Sequence, residues 1–389
     1  AFVRANNPDL VATEKPMELA FLNSILISPA FPPRDPWLSG YSISYYYFGY
    51  IMIAGLTRLS GLTSGVTFNL ANAMWFGLGC VGSYSIIRNL LHDRSEPGRS
   101  AVSLLGPFFV MVSGNLQGVL EVMHKRGLFW RISPDGAMYS SFWEWLGIKQ
   151  LVDPPAGSAG WIPDRYLWWW RASRVVNDVN LRGDEVEVID EFPFFSFILA
   201  DNHPHVLALP FVLLAVGFAL HIYLKRREHS IRMLELPGEI GVPLNYLEFS
   251  FAAVLFGGLA FLNTWDLPIY LVVVAGSLFL ISSSKPMLAR LTSAAAAGAA
   301  LVALSVLLYL PWLAGFRSQL GGILRNLIYP TRFVQFLIMF GVSIIPLSMW
   351  LVYKASSSWT RKDWQPFLLI GLGIPVLLWL VSLGLSGVI

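Results

Sequence analysis

Two clusters of ionisable residues have the types and spacing for chemistry. The first opens the chain: Asp9, then Thr13-Glu14-Lys15-Pro16-Met17-Glu18. A carboxylate held at a lipid–water interface is partly desolvated, and desolvation raises its pKa toward the range that general acid–base catalysis uses. Glu14 is the candidate catalytic base on that ground, with Asp9 as second choice. Glu18 lies one helical turn on, so a helix would bring it to the face of Glu14. The plainer reading is that Glu14 complements the positive end of a helix starting near Pro16, with Thr13 as its N-cap and Lys15 paired to either acid. The second cluster is Asp201-Asn202-His203-Pro204-His205, at the mouth of an apolar segment. Ionisable residues at such a mouth are functional candidates by default. The alternative is helix capping by Asp201 or Asn202, with the histidines filling interfacial space. Two histidines separated by one proline do not make the i, i+4 pair of a helical metal site. A divalent metal on His203, His205, Asp201 and a carboxylate of the first cluster is an option that spacing alone does not establish. No other cofactor is implied.

Further candidates would bind rather than react. Arg171 and Arg174 follow Trp168-Trp169-Trp170, and on a helix their spacing turns them the same way. Arg suits bidentate phosphate contacts, so the pair suggests a phosphate clamp at headgroup depth. Against it stands an aromatic belt with Arg snorkelling to ordinary headgroups. Tyr45-Tyr46-Tyr47 covers most of a helical turn, so at least one ring faces the pocket while the others anchor at the interface. Asp35, in the proline-rich turn from Ser28 to Trp37, and Asp266, just ahead of Pro268, complete the substrate-binding set with Asn202 and the histidines. For Asp266, helix capping is the competing reading.

The elements that must position these residues are membrane helices. The chain of 389 residues is 55% hydrophobic and only 13% charged, against about 25% charged in soluble domains. Its 15 tryptophans suit residues anchored at a lipid interface. A net charge of +3, spread over loops, gives no nucleic-acid face. Cys80 is the single cysteine, which excludes an intrachain disulfide and a cysteine metal cluster. No P-loop, Rossmann glycine pattern, Gly-x-Ser-x-Gly or His-Glu-x-x-His occurs, which argues against nucleotide hydrolysis, dinucleotide redox chemistry and the common hydrolases.

Apolar runs long enough to span a bilayer fall at about 66–87, 101–120, 205–224, 246–262, 267–283, 294–313, 333–353 and 365–386. The fold class is therefore an all-α polytopic membrane protein. Ahead of the spans, helices near Pro16 and from about Tyr45 to Leu62 are short and half polar, and are read as lying in the interface. The expected organisation is one membrane domain. Residues 1–64 form an outer loop with interfacial helices, 65–120 two spans, 121–204 an outer Trp-rich loop, and 205–389 the remaining spans. The opening Ala-Phe-Val-Arg has no apolar segment before it, and a preceding membrane helix is expected to be missing. Lys and Arg set the orientation. Arg88, Arg94 and Arg99, then Lys225, Arg226, Arg227 and Arg232, then Lys285 and Arg290, then Lys354, Arg361 and Lys362 alternate so as to share the cytoplasmic face. Both ionisable clusters then belong to the non-cytoplasmic side.

Together, Glu14-Lys15-Pro16-Met17, Pro36-Trp37, Tyr45-Tyr46-Tyr47-Phe48-Gly49, Trp170-Arg171-Ala172-Ser173-Arg174, Glu191 to Phe197 and His203-Pro204-His205 resemble the YYY membrane proteins of bacteria and archaea, a family of unknown function. The match runs from Asn7 to Asp266. That family is in turn similar to GT-C glycosyltransferases, such as protein O-mannosyltransferases and aminoarabinose transferases. The resemblance implies a GT-C-like helix bundle, a polyprenyl-phosphate-sugar donor, and an acid near Asp9 or Glu14 that deprotonates the acceptor. The paired Asp-Glu of those enzymes is not adjacent here, which leaves open which acid is the base. Two rivals stand beside a transferase: a non-catalytic subunit of a membrane complex, and a transporter. The spans are nearly free of charge, with Glu121 and Asp201 only at edges, which disfavours the transporter.

Overall fold

A computed structural model describes residues 1–91, 98–157, 159–163, 168–180, 182–225, 234–236, 240–282, 286–317, 331–360, 364, 371 and 373–386. Asp164, Arg165, Tyr166, Leu167, the cations Arg94, Arg226, Arg227, Arg232, Lys285, Arg361 and Lys362, and residues 365–370 of the last expected span lie outside the described residues.

In chain order the helices are α1 Phe2–Asn6, α2 Lys15–Ile27, α3 Phe48–Ser60, α4 Ser64–Leu90, α5 Arg99–Ser103, α6 Leu105–Pro107 continued by a π-helix Phe108–Val112, and α7 Gln117–Lys125. There follow α8 Ser141–Leu146, α9 Trp168–Arg171, α10 Pro193–Leu199, α11 Pro204–Leu224, α12 Tyr246–Leu262, α13 Asp266–Ile281, α14 Met287–Leu308, α15 Leu310–Leu313, α16 Phe333–Ser358 and α17 Gly373–Ser386. Three antiparallel hairpins, β1–β2 (Arg131–Ile132, Met138–Tyr139), β3–β4 (Asn177–Val179, Glu185–Glu187) and β5–β6 (Leu234–Leu236, Ile240–Val242), sit in the connections. Among the described residues four helices are long and apolar enough to cross a membrane: α4, α11, α14 and α16. Taking the interrupted pair Arg99–Val112 and Gln117–Lys125 as one span makes five. The shorter apolar helices α12 and α13 are joined by a tight turn.

Local chemistry accounts for the ends of these helices. Pro16 occupies the first turn of α2, where its missing N–H costs nothing. Gly61, at φ +68°, closes α3 in the left-handed conformation. Asn245 and Glu248 form a reciprocal capping box at the start of α12. Four expected spans differ. Those at 246–262 and 267–283 form helices of 17 and 16 residues, shorter than the spanning ones. The one over 101–120 is interrupted: helix stops at Val112 and resumes at Gln117, whose N–H is capped by the Asn115 side chain. The one at 294–313 starts earlier, behind Pro286, and breaks at Tyr309, where Pro311 cannot continue the hydrogen-bond ladder.

The chain divides into two compact units, Ala1–Val112 with Ser196–Ser318, and Ser113–Phe195 with Gln319–Ile389. In the first, α11 packs against α4, α12 and α13, α14 packs against α12 and α13, and α2 and α3 lie together with α3 on α4. Its core includes Leu22, Tyr50, Phe68, Leu207 and Phe256, each fully or almost fully buried. Two close approaches set the start of α11. Leu207 lies so near Gly49 of α3 that a Cβ there would come within 2.3 Å of Leu207 Cδ1. The Trp75 indole of α4 donates to the Leu207 carbonyl at 2.8 Å. In the second unit Trp143, Leu146, Ile148, Leu151, Val175 and Ile338 form the core.

Candidate functional site

The first unit brings the two ionisable clusters together. Lys15 and Asp201 form an ion pair at 2.9 Å, with side chains only 6% and 2% exposed. Thr13 donates its hydroxyl to the same Asp201 Oδ1 at 2.5 Å, and Lys15 Nζ also reaches Thr13 Oγ1 at 2.9 Å. Thr13 is therefore not the N-cap; Glu14 occupies that position, without a side-chain cap bond. Lys15 pairs with neither neighbouring acid. Nor does Asp201 cap α11, whose N-cap is His203. Both segments enter the site through left-handed residues, Thr13 at φ 61° and Ala200 at φ 65°. For a β-branched residue that conformation costs about 1–3 kcal/mol and must be held by its surroundings. The Asp201 contact does so for Thr13.

One histidine nitrogen faces two carboxylates. His203 Nδ1 lies 3.1 Å from Glu18 Oε1 and 3.4 Å from Glu14 Oε2, while Nε2 lies 3.7 Å from Asp201 Oδ2. The two acids differ in access. Glu14 is 53% exposed, and Glu18 is entirely buried. Glu18 Oε2 accepts the Asn202 N–H at 2.7 Å, and Asn202 Nδ2 donates to the Phe68 carbonyl on α4 at 3.1 Å. Burial pushes the Glu18 carboxyl above the usual carboxylate range, and the Asp201 charge adds to this; His203 and the Asn202 N–H oppose it. His205, exposed, packs its ring at a tilt beside His203 with ring centroids 5.5 Å apart and is within electrostatic reach of Asp266. Asp266 accepts from Asn263 Nδ2 at 3.1 Å in the first turn of α13.

Of the three tyrosines, Tyr45 is the one near the acids. Burial, then the charges of Glu14 and Glu18, push its phenol up to about 12. Tyr46 packs on Phe316 and Tyr47 on Phe261. All three precede α3 instead of forming its first turn, Tyr47 being the N-cap. Asp9 lies apart: it is exposed beside Arg4, which donates to its carbonyl. Asp35 closes a turn by accepting the Trp37 and Leu38 N–H groups.

Arg171 and Arg174 belong to the second unit. The helix holding Arg171 ends there after four residues, so the shared helical face expected from their spacing does not form. Arg174 lies 4.0 Å over the Trp170 ring and pairs with Glu187 at 3.3 Å. This unit also holds a cavity of about 340 Å³ lined by the buried Glu121, His124 and Lys125 of α7. Sequence reading missed that polar face, taking the stretch as loop. It also left Glu18 and Tyr50 outside the site, although the Glu14–Glu18 spacing was a signal for Glu18. Among the described residues no set of three or more His, Cys, Asp or Glu is arranged to hold a metal ion. Asp201 Oδ1 is instead committed to Lys15 and Thr13.

The fold and site define a polytopic helical membrane protein with an acid–imidazole cluster where short helices meet the mouth of a span. The chain belongs to the uncharacterized membrane protein family DUF2298, which it matches over residues 1–388. No curated protein and no solved structure matches it.

Proposed function

We propose that this protein is a membrane glycosyltransferase that moves a sugar from a polyprenyl-phosphate donor to an acceptor hydroxyl at the non-cytoplasmic face. The observation that carries the reading is the meeting of Glu14 and Glu18 with Asp201 and His203, on segments separated by 184 residues between Glu18 and Asn202. A buried Lys15–Asp201 pair would suffice for a structural lock. It would not call for an exposed carboxylate beside an imidazole, which is what Glu14 and His203 present. Glu14 takes the acceptor proton as the acceptor oxygen bonds to the sugar. The sugar–phosphate bond breaks with its electron pair on the phosphate. Tyr45, His205 and Asp266 lie close enough to this cluster to bind hydroxyls. The order of motifs shared with GT-C enzymes supports the reading by analogy. A lipid-linked donor suits an outer site, where nucleotide sugars are not normally supplied.

The test is transfer from labelled polyprenyl-phosphate hexose and pentose donors by protein reconstituted in vesicles. Glu14→Gln should lower the rate by about 10²–10⁴, the usual contribution of a general base, with unchanged thermal unfolding. Full transfer by that variant sinks the assignment. A structural subunit would instead retain a protein partner, and no polyprenyl phosphate, in native mass spectrometry.

A further inference from the structure

We infer that Glu18 is the terminal proton acceptor of this site, a positioning residue that acts through His203. The inference rests on the role of Glu14 given above. Glu18 is fully buried and cannot meet a substrate. It is nevertheless the nearer of the two carboxylates to His203 Nδ1, at 3.1 Å against 3.4 Å for Glu14. One ring nitrogen thus stands between an outer and an inner acid, and Asp201 lies beside Nε2 at 3.7 Å.

The surroundings of Glu18 suit a group that gains and loses a proton. Lys15 on its own helix is held by Asp201 and Thr13. The titratable groups facing Glu18 are His203, Asp201, Tyr45 and Tyr50, with Glu14 one turn away on α2. A permanent anion at that depth would be ringed by donors. Here one backbone N–H serves Oε2, and the His203 ring faces Oε1. The buried Tyr50 hydroxyl and Asn202 Oδ1 have no hydrogen-bond partner among the described residues. Burial also raises the proton affinity of Glu18.

The sequence balances. The acceptor O–H gives its proton to Glu14, which passes it to Nδ1 of neutral His203. Nδ1 then gives it to Glu18, and Glu14 returns to carboxylate. Transfer therefore requires ionised Glu18 and should rise with pH as Glu18 titrates.

An infrared pH titration of the purified protein reads this without turnover. A protonated-carboxyl band should persist above the ordinary Glu range, about 4.3, in wild type and Glu14→Gln, and lose its Glu18 component in Glu18→Gln. The same band in Glu18→Gln, or its absence from wild type, overturns the inference. Should Glu18→Gln fail to fold, Glu18→Asp keeps a carboxyl but withdraws it from His203. That band should shift, and an unchanged one overturns the inference. The acid limb of transfer in wild type should move to lower pH in Glu18→Gln. The two failures separate: a Glu18 band without sugar transfer removes the transferase reading, whereas transfer without a Glu18 band removes the relay.

Discussion

Lys15 and Asp201 show what a single pair contributes here. Both are almost fully buried, so their desolvation is repaid only while each has the other. Lys15→Met strands a buried carboxylate and should cost about 3–5 kcal/mol, the usual penalty for removing one partner of such a pair. Adding Asp201→Asn should recover much of that loss, because the stranded charge is gone. Thermal unfolding in mild detergent checks both, and no recovery in the double variant would show that the pair is not the cause. Glu18 carries the opposite sign. Its folded-state pKa is raised above the unfolded value by burial. Its contribution to stability is full below that unfolded value, about 4.3, and is lost as pH rises through the folded one. Relative to Glu18→Gln, wild type should therefore lose unfolding temperature from acid toward neutral pH. A gap that stays constant over that window rejects the raised value.

At the scale of elements, glycines separate contacts that hold helices together from positions that merely lie on them. A Cβ at Gly106 would come within 2.4 Å of the Ser83 backbone oxygen on α4. Backbone cannot rotate aside as a side chain can, so Gly106→Ala should destabilise by about 1–3 kcal/mol. Gly55 in α3 meets nothing within 4 Å. Gly55→Ala should be neutral, or stabilising by up to about 1 kcal/mol through helix propensity. Unfolding midpoints for the two variants make the comparison, and equal shifts would count against the close α4–α6 approach. Gly49 is the functional case. Its contact with Leu207 sets where α11 begins, and hence where His203 stands.

The whole molecule is a membrane protein, and sidedness is what the functional reading needs. With α4 spanning the bilayer, Asp9 and Asn89 lie toward opposite ends of it: Arg4 bonds both Asn69 and the Asp9 carbonyl, and Asn89 lies in the last turn of the helix. In a Cys80→Ser background, Asp9→Cys should react with an impermeant maleimide on intact cells. Asn89→Cys should react only after permeabilisation. The reverse pattern would place the acid cluster in the cytoplasm and remove the argument for a lipid-linked donor.

Much of the architecture was legible because spanning a bilayer is a local demand. About 20 apolar residues suffice, whatever lies elsewhere in the chain. So the starts of α11 and α16 follow from the sequence almost to the residue. Both halves of the site were legible too, since charges at the mouth of a span are costly and stand out. Their pairing was not. No periodicity links Lys15 to Asp201, and residue type alone made Glu14 or Glu18 equally good partners. The α9 helix ends at Arg171, so spacing misjudged where Arg174 points. Composition alone determines that this chain lives in a bilayer and which residues are dear to bury. Only tertiary packing decides which buried charge meets which. That choice follows from long-range close approaches, Gly49 on Leu207 and Asn202 on Phe68, that no local stretch encodes.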